Sequence, residues 1–249
     1  MKKLILFCLA LAFSMNAQAQ FGKLLDKAKN SDIGKKVDGV LADDGTLDIG
    51  GGLKQALELG VEEAVTALSA DNGYYESPYK ILLPEEARKV VDKLKLVPGF
   101  ANVERDLVKK MNEAAESAAK KATPIFVDAI KAISFEDARN ILMGDDDAAT
   151  VYLENSSRDR LYDAFLPVIQ GALDEVNARS YWKSVVEKYN SLPFTSEVNP
   201  ELDDHVNNKS LDGLFGLIEV KEKGIREDVS QRTTPLLKDV FSKQDKENK

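Results

Sequence analysis

The chain is short of the residues that most catalytic sites and covalent staples need. Among its 249 residues there is one cysteine, Cys8, and one histidine, His205. Cys8 lies inside the opening apolar run, so removal of that run leaves no thiol for a disulfide, a thiolate metal site or a nucleophile. A single imidazole excludes any two-histidine zinc site, and no G-x-S-x-G turn is present to pair a serine with it. His205, in "LDDHVNNKS", therefore reads as a surface or capping group. The triplet Gly50 to Gly52 lacks the lysine pattern of a phosphate loop and follows no clear strand. Long apolar runs are missing too: beyond the N-terminus nothing approaches the roughly 20 residues that span a bilayer.

What stands at the N-terminus is "MKKLILFCLALAFSMNAQAQ", a basic start at Lys2 and Lys3, a short apolar run, then Ala17-Gln18-Ala19. This order is that of a secretory signal peptide, residues 1–19, cleaved after Ala19. The expected address is periplasmic or secreted, with no integral membrane segment after cleavage. Cys8 has no small-residue site before it, which argues against lipid attachment. Loss of Lys2 and Lys3 takes the net charge from −8 to about −10. Such a chain repels phosphate backbones, and no stripe of Lys and Arg with interleaved aromatics opposes that field. No nucleic acid partner is expected.

Residues 20–51, rich in Gly and Asp, read as a loosely docked leader. Asp44, Thr46 and Asp48 alternate like calcium ligands, but the loop lacks the glycine and closing glutamate of an EF-hand. From Leu53 to Leu68 apolar residues recur at helical spacing. "DNGYYESPYKILLP" then breaks the pattern, and residues 73–83 form either one short β-hairpin or an extended strap. Further stripes predict a helix opening at Pro84, and one through Met111 and Ala114 to Ala122 whose small side chains admit a close neighbour. Thr123-Pro124 restarts a helix, and Ser134 with Asp137 forms a capping box. Later helices follow through Tyr152 and Leu153, through Leu161 to Val176 with a kink or restart at Pro167, and through Tyr181 to Tyr189. Leu211 to Ile218 carries Gly213 and Gly216, a cost that a close helix neighbour would justify. Pro235 to Phe241 ends the pattern before the charged residues 242–249, expected to be a disordered tail. The expectation is all-α: a single bundle-like domain, residues 52–241, of about eight to ten helices.

The aspartates Asp145, Asp146 and Asp147 invite a metal reading, with calcium or magnesium as the alternatives, because both take oxygen ligands. The plainer reading is a helix start, where carboxylates meet free N–H groups and the positive end of the dipole; no cofactor is then expected. A candidate polar cluster comprises Asn112, Glu116, Asp145, Asp146, Arg226 and Arg232. Asn112 and Glu116 sit one helical turn apart beside the alanine stripe, so both could point into a crevice or pair with a neighbouring helix.

Several stretches resemble an uncharacterised bacterial family, domain of unknown function 4197. They are "GLKQALELGVEEAV", "NGYY" with "ILLP", "MNEAAESAAKKATPIFVDAI", "DARNILMGDDDAATVYL" and "LDGLFGLIEVKEKGIREDVSQRTTPLLKDVF", covering nearly all of Leu47 to Phe241. The resemblance implies an exported helical protein and carries no activity with it. The expected role is a non-enzymatic binding or interaction module of the periplasm, its partner an unknown protein or a small apolar ligand. The alternative is a carboxylate-based or divalent-cation-assisted hydrolase.

Overall fold

Helix α1, Ile49–Leu68, starts four residues before the apolar stripe and takes Gly50 to Gly52 into its first turn. The computed structural model describes residues 49–84, 102–191, 197, 199 and 201–247. The expected signal peptide, residues 20–48 of the expected leader and the helix expected beyond Pro84 lie outside the described residues. Residues 52–249 form one compact unit.

Among the described residues seven further α-helices follow: α2 Val103–Ala119, α3 Ala122–Ala132, α4 Phe135–Met143, α5 Ala148–Asp174, α6 Ala178–Asn190, α7 Leu202–Glu227 and α8 Pro235–Glu247. A 3-10 turn, Val229–Gln231, joins the last two. Among the described residues there is no strand, and the fold is a single helical domain.

The centre is α5, on which α7, α2 and α3 pack most extensively. Its buried residues explain why one helix can serve so many neighbours. Ala149, Leu153, Ser157, Leu161, Phe165, Ile169 and Leu173 recur at every fourth position. Four residues advance about 400°, so the stripe drifts about 40° per step and winds around the helix. Each segment of α5 thus turns its apolar side to a different partner. Against it α2 sets Ala114, Ala115, Ala118 and Ala119, all fully buried, small side chains that admit a close neighbour. Phe126 of α3 meets Phe215 of α7 edge to face, centroids 5.7 Å apart.

Pro167 neither kinks α5 into two elements nor restarts it, because the helix runs unbroken from Ala148 to Asp174. Pro167 is exposed, and so is Asp163 one turn earlier, whose carbonyl loses its helical partner on the solvent side. The "NSS" run also lies mid-helix, since Ser156 and Ser157 donate back to the carbonyls of Tyr152 (2.8 Å) and Leu153 (2.5 Å). The restart expected at Thr123-Pro124 comes slightly earlier, with Lys121 as N-cap and Pro124 in the first turn, where its missing N–H has no helical partner to lose. The Ser134–Asp137 capping box is present in both directions, at 3.1 Å each way.

At the C-terminus, α8 continues through Glu247, so residues 242–247 are helical and not a disordered tail. Asp245 supplies the reason: it receives two bonds from Arg232, at 2.6 and 2.9 Å. The substitution Phe165→Ala is expected to lower the free energy of unfolding by about 3–5 kcal/mol. A urea titration would read this as an earlier midpoint with an unchanged slope. A loss below about 1 kcal/mol would contradict a central α5.

Candidate functional site

The aspartate triplet lies at the α4–α5 junction, and its helix end is held by a residue from another helix. Asp147 occupies the N-cap position, but its backbone (φ −114°, ψ 6°) is not extended and its side chain makes no capping bond. Ser134, with φ −75° and ψ 169°, shows the geometry that capping needs. At α5, Glu222 accepts from the N–H of Ala149 at 2.9 Å and from the N–H and hydroxyl of Thr150 at 2.8 Å each. Those N–H groups belong to the second and third helical residues, the usual targets of an N-cap. Glu222 therefore does the work of the cap from 72 residues away. Asp145 and Asp146 are exposed. No group of three or more His, Cys, Asp or Glu among the described residues is arranged to hold a metal ion.

One turn along α7, Arg226 donates to Glu222 at 2.8 and 2.9 Å, and to the carbonyls of Ile141 (2.8 Å) and Leu142 (3.1 Å). Both carbonyls belong to the last turn of α4, where that of Ile141 also accepts from the N–H of Gly144 at 3.3 Å. A single buried ion pair thus satisfies acceptors at the end of one helix and donors at the start of the next. Arg232 repeats the device on α7, donating to the carbonyls of Ile225 and Arg226 at 2.9 and 2.8 Å. The Phe241 ring lies between 5.6 and 5.9 Å from the two guanidinium carbons. A void of about 20 Å³ borders Glu222 and Arg226, enough for roughly one water.

Asn112 and Glu116 serve a second structure, the strap of residues 69–84. The strap leaves α1 through Asn72, in the left-handed region at φ 60°, and Gly73, where a side chain would collide with the carbonyls of Ala67 and Leu68. It then proceeds by turns, so the hairpin expected over residues 73–83 does not form. Side chains of α2 take the place of a pairing strand. The Asn112 amide accepts from the N–H of Ile81 and donates to its carbonyl, both at 2.9 Å. Glu116 accepts from the N–H groups of Tyr74 (3.2 Å) and Tyr75 (3.4 Å). Burial pushes the Glu116 carboxyl above the ordinary glutamate value, although those N–H bonds oppose the rise. Tyr74 is fully buried and donates to the carbonyl of Ser210 at 2.7 Å, tying the strap to α7.

The glycines of α7 are explained here as well, by a neighbour that is not a helix. A side chain at Gly213 would lie 3.0 Å from both Tyr74 and Tyr79, and one at Gly216 would lie 3.1 Å from Tyr79. The strap thus lies flat along this face of α7. His205 Nε2 sits 2.9 Å from the carbonyl of Leu82, which can only accept, so this nitrogen carries the hydrogen.

Between strap and α7 runs an open groove of about 420 Å³. Pro78 to Pro84 form one wall, and His205, Lys209, Asp212 and Gly213 the other. Burial pushes the Asp212 carboxyl up, but bonds from Arg158 (2.7 Å) and Lys209 (3.1 Å) hold it below the usual range. Elsewhere on α7, Asp203 and Asn207 are buried one turn apart and take Gln170 and the Tyr162 carbonyl as partners.

The six candidate residues are thus distributed among separate tasks. Asn112 and Glu116 hold the strap, Arg226 and Arg232 hold helix ends, and Asp145 and Asp146 face outward. Glu222, Tyr74 and Tyr79 belong to these arrangements and were not among the candidates. A sign of Glu222 was present: with Arg226 it continues the apolar stripe of Leu211, Phe215 and Ile218 onto the buried side of α7.

Fold and site together define an all-helical domain in which buried charges hold the ends of helices. Sequence comparison places it: the chain belongs to the family described as protein of unknown function, DUF4197, matched over residues 44–242. No curated protein and no solved structure matches it. No helix among the described residues is long and apolar enough to cross a membrane.

Glu222→Ala would leave Arg226 buried without its counter-charge and two N–H groups uncapped. The expected loss is about 3–5 kcal/mol by chemical denaturation, and the Glu222→Ala/Arg226→Ala double variant should lose less than the sum of the singles. Strict additivity would show that the two do not act as one unit. For Glu116 the sign follows from its raised folded pKa. Native stability should fall as pH rises from the ordinary 4.5 through that raised value, then level off. Glu116→Gln keeps an oxygen for the strap and lacks this fall. Its stability relative to the native protein should therefore improve from about pH 4 toward neutrality, and a flat difference would contradict the assignment.

Proposed function

We propose that the protein is a binding module without catalysis of its own, acting in the periplasm or outside the cell after cleavage behind Ala19. The observation that carries this reading is the groove between strap and α7, an open space of about 420 Å³ with apolar side chains on its wall. A concave, largely apolar space of a few hundred Å³ suits recognition of a small apolar ligand or of a partner's side chains. Support also comes from the fate of the groups that acid–base work would need. Asn112 and Glu116, the polar pair offered for hydrolysis, are both bound to backbone groups of the strap. Arg226 and Arg232 are bound to helix ends. The leader "MKKLILFCLALAFSMNAQAQ" supports export. No cofactor enters this reading.

The test is native mass spectrometry, with organic extraction, of protein purified from its own compartment. A co-purifying partner or small apolar molecule is expected, on a chain whose N-terminus is Gln20. A ligand-free, partner-free sample would overturn the binding role, and an intact Met1 would overturn the export. Calcium or magnesium titration addresses the hydrolase alternative through Asp145 and Asp146. No stabilisation is expected, whereas a gain of about 2.7 kcal/mol at 100 times a measured dissociation constant would restore the metal-assisted reading.

A further inference from the structure

We infer that the groove binds a single-chain carboxylate amphiphile, its chain lying on the strap and its head group near Lys80 and Lys209. This rests on the binding-module reading and names the chemistry of the ligand.

Leu82 is 48% exposed although it stands between the buried Ile81 and Leu83. Across Ile81 to Leu83 burial alternates residue by residue, as it does where successive side chains take opposite sides of the backbone. Ile81 and Leu83 turn into the core, at 2% and 3% exposure, and Leu82 is therefore forced outward. The alternation is fixed on both sides of the leucine. Asn112 grips both backbone groups of Ile81, and His205 bonds the carbonyl of Leu82 itself. With Pro78 and Pro84 in the same wall, this makes a narrow apolar strip held rigidly beside an open space.

The charge of the groove is opposite to that of the chain. Its lining carries Lys80 and Lys209 against one carboxylate, Asp212, in a protein of net charge −8. Asp212 is already bound by Arg158 as well as Lys209. The Lys80 ammonium lies 3.6 Å over the Tyr75 ring and has no carboxylate partner among the described residues. A single anionic head group complements this local excess, and a polyanion would meet repulsion from the rest of the surface.

An extended peptide fits less well, because added strands are held by a row of free backbone groups. On this strap the backbone is already engaged. The N–H of Lys80 bonds Ser77, Ile81 is held through both groups, and the Leu82 carbonyl is taken by His205. An acyl chain asks only for apolar contact.

The experiment uses the mature chain, residues 20–249, and sodium laurate below its micelle concentration, followed by calorimetry. Saturable one-to-one binding is expected, with acetate showing none and dodecyltrimethylammonium binding at least about fivefold more weakly. Lys80→Glu and Lys209→Glu should each weaken laurate by roughly fivefold, and Leu82→Asp should abolish saturation, with circular dichroism unchanged in all three. Equal binding of the cationic analogue, or indifference to both lysine reversals, would overturn the assignment. Absence of saturable laurate binding would overturn it too. Should native mass spectrometry still find a co-purifying molecule in that case, the binding module stands and only this ligand class falls.

Discussion

The structure depends on a constraint that every helix carries: its first N–H groups and last carbonyls have no partner within the helix. At the α4–α5 junction both sets meet in a buried place, since the last turn of α4 and the first of α5 are separated only by Gly144 to Asp147. A bare junction there would leave donors and acceptors desolvated, each costing about 1–3 kcal/mol. Glu222 and Arg226 remove both costs together, one charge for each kind of orphan group, and neutralise each other. A buried ion pair is often no better than a well-packed apolar pair of similar volume. This one differs because its spare hydrogen bonds go to backbone that no apolar side chain could satisfy. It therefore fixes how far along α7 the junction must sit, and with it the register of α5 against α7.

The strap obeys the same rule in a different form. A chain that crosses a helical domain without joining a helix or a sheet must find partners for its own backbone. The strap finds them in the side chains of Asn112 and Glu116 on α2, while Tyr74 reaches across to α7. The glycines at 213 and 216 follow from this route, because the Tyr79 ring needs the space that two methyl groups would fill. What appears in α7 as a costly loss of helix propensity is the seat of the strap.

Much of this was legible in the sequence, and the rest was hidden for identifiable reasons. The stripe of α5, the alanine face of α2 and the Ser134–Asp137 box are local patterns, and their meaning does not depend on what lies elsewhere in the chain. The aspartate triplet is an incomplete guide to the cap because capping is usually local. A carboxylate beside a helix start suggests the cap, yet here the cap is 72 residues distant and Asp147 is turned away by its own backbone. Of the two alternatives for residues 73–83 the strap forms and the hairpin does not: Asn72-Gly73 does mark a turn, but the backbone partners of the following segment are side chains from α2. The glycines of α7 announced a close neighbour without saying whether it was a helix or a tyrosine. Periodicity reveals which face is buried, while the identity of the group that meets it is a property of the fold.

A functional consequence follows from where the polar groups have gone. In a domain that carries no disulfide, the side chains that could have formed a reactive cluster instead complete the backbone hydrogen bonding of α4, α5, α7 and the strap. Their burial reflects this role, since backbone groups left unbonded in the interior would each cost about 1–3 kcal/mol. The strap, by contrast, gains rigidity from those same bonds and spends none of its outward side chains on the core. Asn112 and His205 hold the backbone around Leu82 so that an apolar side chain stays in solvent beside two lysines. A flexible loop would let that leucine fold inward, and only a backbone held from both flanks keeps it presented. Asn112 and His205 in this way preorganise the apolar strip that faces the groove.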